Sequence, residues 1–307
     1  MNLLSIALTI AGLCLFETIT SIDNAIINAE VLSTMGARGR RWFLLWGLLL
    51  AVVFVRGLLP WAIVWAAVPQ LGSIGAFTAT FSSDPLIHGA VARAAPPLLI
   101  GGGTFLVFLF FHWLFLEPKH YGLPGERFFQ RQGIWFFAVV SILLCAIVWE
   151  ALHRDPLLAF GAVVGSTAFF ITHGFKENAE KTERSLLAEG FSDLSKILYL
   201  EIIDATFSID SVLGAFAFTL SVPLILLGNG LGALVVRQLT VGNIERVKRY
   251  PYLKNGAMYA ILLLGVIMLL DAFGFAVPEW VSPVMTFGVI GYFFWRSLEG
   301  TSDAFNF

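Results

Sequence analysis

Long apolar runs separated by short polar stretches follow one another along the chain. Backbone groups inside a bilayer must bond within their own segment, so runs that can cross about 30 Å of hydrocarbon predict transmembrane helices. We therefore expect an all-α fold, a polytopic membrane helix bundle of about nine transmembrane helices. The predicted spans lie near 3–33, 42–68, 97–117, 134–152, 156–173, 196–221, 223–241, 256–277 and 281–298.

Composition supports a membrane protein. The chain is 58% hydrophobic and 13% charged, whereas soluble domains carry about 25% charged residues. The net charge of −2 gives no sign of nucleic-acid binding. Both cysteines, Cys14 and Cys145, lie in apolar runs and are interpreted as buried thiols.

Basic residues cluster in alternate polar stretches and orient the bundle. They crowd after the first, third, fifth and seventh predicted spans, whereas the opposite stretches hold few, such as Arg93 and Arg154. The positive-inside rule then places the N-terminus outside and the C-terminus in the cytosol. The stretch 69–95, rich in small residues, is expected to be an external loop, and 174–195 a charged and partly helical cytosolic linker. The run 134–173 fits either two helices or one re-entrant hairpin.

An internal repeat carries most of the intramembrane acids. The stretch "FETITSIDNAI" in the first span aligns with "IDATFSIDSVL" in the sixth. Each copy holds an acid, five other residues and a second acid, within a segment that is otherwise apolar. The alignment pairs Glu17 with Asp204 and Asp23 with Asp210.

The repeat continues into the next span and has an inverted orientation. "GLLLAVVFVR" aligns with "GNGLGALVVR", which places Arg56 on Arg237. The first copy starts outside and the second inside, so we expect inverted-topology repeats, which are typical of transporters that bind substrate near the midplane. The predicted units are a first repeat with its external loop at 1–118, an inserted helix pair and linker at 119–195, a second repeat at 196–278, and a last helix and tail at 279–307.

Carboxylates inside a bilayer cost about 2.5–3.5 kcal/mol each on insertion scales, so a partner is expected. Carboxylate, amide and hydroxyl oxygens suit a hard divalent cation. Structural ion pairs are the alternative, but Arg56 and Arg237 can neutralise only two of the acids. The two arginines are candidates for counter-ions or gating residues, and a purely structural role is equally open. His112 and His173 are interpreted as core histidines. The candidate metal ligands are Glu17, Asp23, Asn24, Glu201, Asp204, Asp210 and Ser211.

The spacing of the acids leaves one structural question open. Asp23 and Asp210 each follow their partner acid by six residues, which is roughly 120° around an ideal helix. Either the helices unwind locally, or the two acids of each copy face different neighbours.

At these residues the chain resembles the TerC family, within the LysE-like transporter superfamily. The family's two elements stand here as "SIDNA" at 21–25 and "FSIDS" at 207–211, with upstream acids at Glu17, Glu201 and Asp204. The resemblance implies a bacterial inner-membrane exporter of a divalent cation, most often Mn²⁺, with these acids as ligands. The cation would be the transported substrate, with no tightly bound cofactor, and protons and the lipid bilayer are the other expected partners.

Two other functions stay open at this stage. Two membrane aspartates could share a proton as the dyad of an intramembrane aspartyl protease. The chain could also be a scaffold in an envelope-stress or metal-loading complex. We expect a transporter and not an enzyme, because inverted pairs of acids with arginines, Asn24 and Ser211 beside them suit ligation better than proteolysis.

Overall fold

A computed structural model describes residues 3–47, 50, 56–79, 85–119, 122–186, 192–240 and 249–304. Within these ranges every regular element is helical, which confirms an all-α polytopic bundle. The α-helices are α1 Leu3–Thr20, α2 Ile22–Ser33, α3 Ala37–Trp42, α4 Leu59–Ala67, α5 Gly72–Thr78, α6 Pro85–Leu116, α7 Glu126–Arg131, α8 Phe136–Leu152, α9 Pro156–Leu186, α10 Asp193–Ala215, α11 Val222–Gln238, α12 Leu253–Ala272 and α13 Val281–Ala304.

The described helices include five that are long and apolar enough to cross a membrane. A sixth span results if Arg56–Ala67 and Pro69–Phe77, which meet at 106°, are one broken span or a re-entrant loop. The expected count of nine is therefore not confirmed. Part of the 42–68 span lies outside the described residues. The five spans are Leu3–Thr20, Arg93–Leu116, Gly133–Leu152, Pro156–Asn178 and Leu253–Ala272.

The stretch 69–95 is not a loop over the part that the structure describes. A 3₁₀ turn at Pro69–Leu71 leads into α5, and α6 begins at Pro85. Gly72, with φ of 65°, makes the turn, since only glycine adopts this backbone conformation freely. The small residues that suggested a loop therefore form short helices instead.

The inserted region forms two helices joined by a turn, each long and apolar enough to cross a membrane. α8 ends at Leu152, a turn follows, and α9 begins at Pro156. α9 then continues to Leu186, so the first half of the charged linker 174–195 is helical, as expected. Residues 187–191 of that linker lie outside the described ranges.

Glycines allow α1 and α11 to pack closely side by side. A Cβ atom on Gly232 would lie 2.6 Å from Glu17 Cβ, and one on Gly228 would collide with Leu13. This small-xxx-small spacing is typical of close helix contacts in membranes. Both pairs of contacts ascend in the same direction, so the two helices run parallel, and Glu17 is wedged against the backbone of α11.

The two acidic segments cross in opposite directions. Asn24 of α2 contacts Asp204 of α10, and the Lys196 ammonium group of α10 donates to Thr34 Oγ1 of α2 over 2.9 Å. Higher numbers on one helix meet lower numbers on the other, so the helices are antiparallel. This arrangement is the one expected of inverted repeats.

Candidate cation site

Arg56 joins the first acids of the two repeat copies. Its Nε donates to Glu17 Oε1 over 2.7 Å and its Nη1 donates to Asp204 Oδ2 over 3.2 Å. Glu17 is fully buried and Arg56 is 2% exposed. Both ion pairs therefore lie in a low-dielectric interior, where each carboxylate depends on its partner.

Two polar side chains of the first copy complete these pairs. Ser21 Oγ donates to Glu17 Oε1 over 2.8 Å, and Asn24 Nδ2 donates to Asp204 Oδ1. Ser21 is the single residue between α1 and α2, and the backbone bonds Ser21 N to Glu17 O and Ala25 N to Ser21 O persist across it. The first copy is thus interrupted at one residue without unwinding.

A small cavity opens beside the ion pairs. Its volume is about 50 Å³, enough for a few water-sized groups, since one occupies about 10–15 Å³ on this measure. Its polar residues named next come from four segments, two in each repeat. The polar residues used below are Asn28, Arg56, Glu201, Asp204 and Arg237.

Six buried side-chain atoms have no hydrogen-bond partner in the described part of the protein. Asn28 Oδ1 and Glu201 Oε1 belong to residues that line the cavity, Glu17 Oε2 and Asn24 Oδ1 belong to residues of the ion-pair network, and Oδ1 and Nδ2 of Asn229 lie on α11. The first four atoms are acceptors, and a buried acceptor without a donor costs about 1–3 kcal/mol. A bound cation or a proton would satisfy them, whereas an anion would not. We call the ion pairs, these oxygens and the cavity the Arg56 site.

Glycine gives Glu201 its place in the Arg56 site. Gly47 ends a π-helical turn at Phe43–Gly47, and a Cβ on Gly47 would collide with Glu201 Oε1. The Glu201 carboxylate therefore packs directly against the backbone of Gly47, and any side chain at residue 47 would occupy the same space.

The second acids of the two copies lie elsewhere, each on its own lysine. Lys254 of α12 is 2.9 Å from Asp23 Oδ2 and 2.7 Å from Glu117 Oε2, just beyond α6. Lys176 of α9 is 3.7 Å from Asp210 Oδ2. We call these contacts the lysine cluster. The predicted ligand set is thus divided between two places.

The remaining predicted residues have simpler contacts. Ser211 Oγ donates to the Ser208 carbonyl of its own helix over 3.0 Å. Arg237 lines the cavity but forms no ion pair with the described residues. Across those same ranges, no three His, Cys, Asp or Glu side chains lie together as a metal site, because Arg56 stands between Glu17 and Asp204.

Sequence reasoning missed Asn28, Glu117 and both lysines of the cluster. Lys176 and Lys254 were counted only as cytosolic charges that orient the bundle, although each begins or ends an apolar run. Burial alone would raise the pKa of Glu117, but the Lys254 ammonium group, together with Lys176 and His112, outweighs burial and holds that pKa below its ordinary value. The available signal was a lysine at the border of an apolar run in a protein with unexplained intramembrane acids.

Comparison with known proteins places the chain in a family. A family model described as "Protein of unknown function (DUF475)" matches residues 22–302. The chain belongs to this family. The match begins one residue before Asp23 and covers the whole second copy, so it includes the lysine cluster and most of the Arg56 site.

One curated relative is a membrane protein. It is the "Uncharacterized membrane protein YceF" of Bacillus subtilis (strain 168), 32% identical over 160 residues, which are 52% of this chain and 60% of the relative. The match therefore spans less than two thirds of that relative. No solved structure matches the chain. The comparisons support a membrane protein family of unknown function.

Proposed function

We propose that this protein is a membrane transporter that exports a divalent cation, with Mn²⁺ as the leading substrate, through the Arg56 site. The observation that carries the proposal is the set of four buried oxygens without a donor. Carboxylate and amide oxygens are the ligands that hard divalent cations prefer. The cation would be the transported substrate.

Charge at the Arg56 site also favours a cation. Glu17 and Asp204 pair with Arg56, and Glu201 and Arg237 line the cavity beside them, which makes three carboxylates and two arginines. One negative charge is therefore unmatched while all five groups are ionised. We propose that Arg56 is the counter-ion of Glu17 and Asp204 in the absence of substrate. Its ion pairs with these two acids would weaken when the cation binds.

The repeats supply the movement that transport needs. Glu17 lies on α1 of the first repeat, whereas Asp204 lies on α10 of the second. Rocking of one repeat against the other would separate the two carboxylates that Arg56 bridges, and such rocking is how inverted-repeat transporters alternate access. Exchange for protons would release the cation, because a protonated carboxylate is a poor ligand.

The choice of manganese and of export comes from the TerC-like elements at 21–25 and 207–211. The placement of the aspartates favours transport over the protease alternative. A catalytic dyad needs two carboxylates that share one proton, but Asp23 and Asp210 are each held by a different lysine. No specific contact favours a scaffold.

Flux measurements on purified protein in liposomes test the proposal. A dye trapped inside reports uptake of Mn²⁺, with Mg²⁺, Ca²⁺ and Zn²⁺ as alternatives. We expect wild type to carry Mn²⁺ and Glu17→Gln or Asp204→Asn to carry none, because each loses a ligand charge. Glu150→Gln is the matched control, since Glu150 forms an exposed pair with Arg154 at 3.0 Å.

Two outcomes would contradict the proposal. One is wild-type protein that carries none of the four cations faster than protein-free liposomes. The other is unchanged flux in folded Glu17→Gln and Asp204→Asn, with folding checked by size-exclusion elution and helical circular dichroism. Element-by-element metal content of expressing cells then tests the direction, since export lowers the content of one metal.

A further inference from the structure

Two histidines meet beside the lysine cluster. His112 of α6 and His173 of α9 have ring centroids 3.8 Å apart, with ring planes at 52°. Phe136 meets His112 edge-on at 5.5 Å, and Phe169 stacks on His173 at 5.8 Å. Aromatic rings therefore pack against both half-buried imidazoles, and in the described ranges neither imidazole forms a hydrogen bond to another side chain.

This geometry suits one proton and disfavours two. A neutral imidazole has one donor and one acceptor nitrogen, so neighbouring rings can share an added proton. Two positive charges about 4 Å apart repel by about 4 kcal/mol even at an effective dielectric constant of 20. The pair should therefore take up at most a single proton.

The pair is coupled to the second acid of the second repeat through a lysine. Lys176 follows His173 by three residues on α9, so both side chains lie on one face of that helix. The Lys176 ammonium group is 3.7 Å from Asp210 Oδ2 and 4.0 Å from the ring centroid of Phe207. A positive charge on the histidine pair would thus lie next to Lys176, which already forms an ion pair with Asp210.

Other charged groups surround the pair on each packed element. α6 ends beside two of them, α9 carries two, α10 one and α12 one. The acids and the lysines are equal in number, so their charges largely cancel at the histidine pair. Movement of single side chains near the pair therefore controls whether it binds a proton. These groups are Glu117, Lys119, Lys176, Glu177, Asp210 and Lys254.

We propose that His112 and His173 form a single-proton binding site that controls whether Lys176 stays on Asp210. A proton taken from water onto the pair repels the Lys176 ammonium group, and Asp210 exchanges that partner for the imidazolium or for a cation. No covalent bond to a heavy atom forms or breaks. A role of the histidine pair in coupling protons to transport rests on the proposed function. Proton binding by the pair does not.

Histidine-selective ¹⁵N NMR of the full chain in lipid nanodiscs tests proton binding directly. Signals are assigned by their loss in His112→Gln and His173→Gln. We expect the two rings to titrate together with one proton per pair. Lys176→Met should raise the titration midpoint by about one pH unit, a tenfold gain in proton affinity, whereas Lys176→Arg should leave it in place.

Three results would overturn the assignment. They are rings that titrate independently, a midpoint that Lys176→Met does not move, and signals of both rings that Mn²⁺ broadens at stoichiometric concentration, which would make the pair a metal site. His153→Gln is the matched control, because His153 is exposed and bonds only to the Trp149 carbonyl in the described structure. That variant should leave the pair's titration unchanged.

Cation flux separates this assignment from the proposed function. In wild type, a pH gradient should accelerate Mn²⁺ flux, and His112→Gln or His173→Gln should abolish the acceleration but keep the flux seen without a gradient. Equal acceleration in both variants would refute the coupling role. If wild type carries no cation at all, the proposed function fails, and the NMR titration still decides whether the pair binds one proton.

Discussion

The two pairs of repeat acids occupy equivalent positions in sequence but have different partners in the structure, and the contrast in burial is largest in the first copy. Glu17 and Asp204 share one arginine, with side-chain exposures of 3% for Arg56 and 0% for Glu17. Asp23 and its partner Lys254 are 43% and 44% exposed, whereas Asp210 and Lys176 are 14% and 22% exposed. A buried shared counter-ion is costly to remove, whereas a partly exposed lysine exchanges easily. The motif thus supplies one fixed site and, at Asp23, one replaceable contact.

The difference follows from the six-residue spacing of the acids. This spacing sends the second acid of each copy to another face of its segment. In the first copy Ser21 interrupts the helix between Glu17 and Asp23, whereas α10 continues unbroken from Asp204 to Asp210. Both copies nevertheless separate their acids, so it is the spacing, and not an unwound helix, that divides them.

The largest expected effect comes from removing the shared arginine. Arg56→Met leaves Glu17 and Asp204 buried without a counter-charge, which should destabilise the protein by about 3–5 kcal/mol. Denaturant unfolding in detergent micelles measures this loss. The double variant Arg56→Met/Asp204→Asn should recover part of it, because one uncompensated carboxylate is then neutral.

Arg154→Met is the control for this change. Arg154 pairs with Glu150 at an exposed i,i+4 spacing, and such pairs contribute about 0.3–0.5 kcal/mol. Equal unfolding free energies for Arg56→Met and Arg154→Met would mean that Glu17 and Asp204 do not depend on Arg56, and the contrast between the two acid pairs would disappear.

A smaller effect is expected from the glycine behind Glu17. Gly232→Ala places a methyl group 2.6 Å from Glu17 Cβ and 2.8 Å from the Cys14 carbonyl oxygen. Such overpacking costs about 1–3 kcal/mol and should also shift Glu17 away from Arg56. Unfolding and Mn²⁺ flux should therefore both fall.

Gly288→Ala is the matched control, since nothing lies within 4 Å of a Cβ built on Gly288. It should leave unfolding and flux at wild-type values. Wild-type flux in Gly232→Ala would show that the position of Glu17 against α11 has no bearing on transport.

The length of the apolar runs was sufficient to predict the fold class. The repeat alignment was sufficient to predict that Glu17, Asp204 and Arg56 lie near one another. They did not reveal the lysine partners of Asp23 and Asp210, because α9 and α12 lie outside the aligned motif. Only tertiary packing brings those helices to the aspartates. The short helices within 69–95 were missed for a related reason, since small residues favour loops and close packing alike.

The last and smallest effect concerns the replaceable contact. Lys254→Met removes the ammonium group that lies between Asp23 and Glu117, and the pair is exposed enough that unfolding should change by less than about 1 kcal/mol. Burial would raise the pKa of Glu117, but Lys254, together with Lys176 and His112, holds it below its ordinary value, so this pKa should rise once the Lys254 ammonium group is gone. Carboxyl ¹³C NMR, assigned with Glu117→Gln, measures it.

The sign of the pH dependence follows from these directions. In wild type, Glu117 contributes stability above its unfolded pKa of about 4.3, and that contribution is lost as the pH falls through the folded value. In Lys254→Met the contribution of Glu117 is smaller, so acidification to pH 4 costs less stability than in wild type. Lys254→Arg keeps the charge and should behave as wild type. A Glu117 pKa that is the same in wild type and Lys254→Met would show that Lys254 does not hold this carboxylate, and Asp23 would then need another partner.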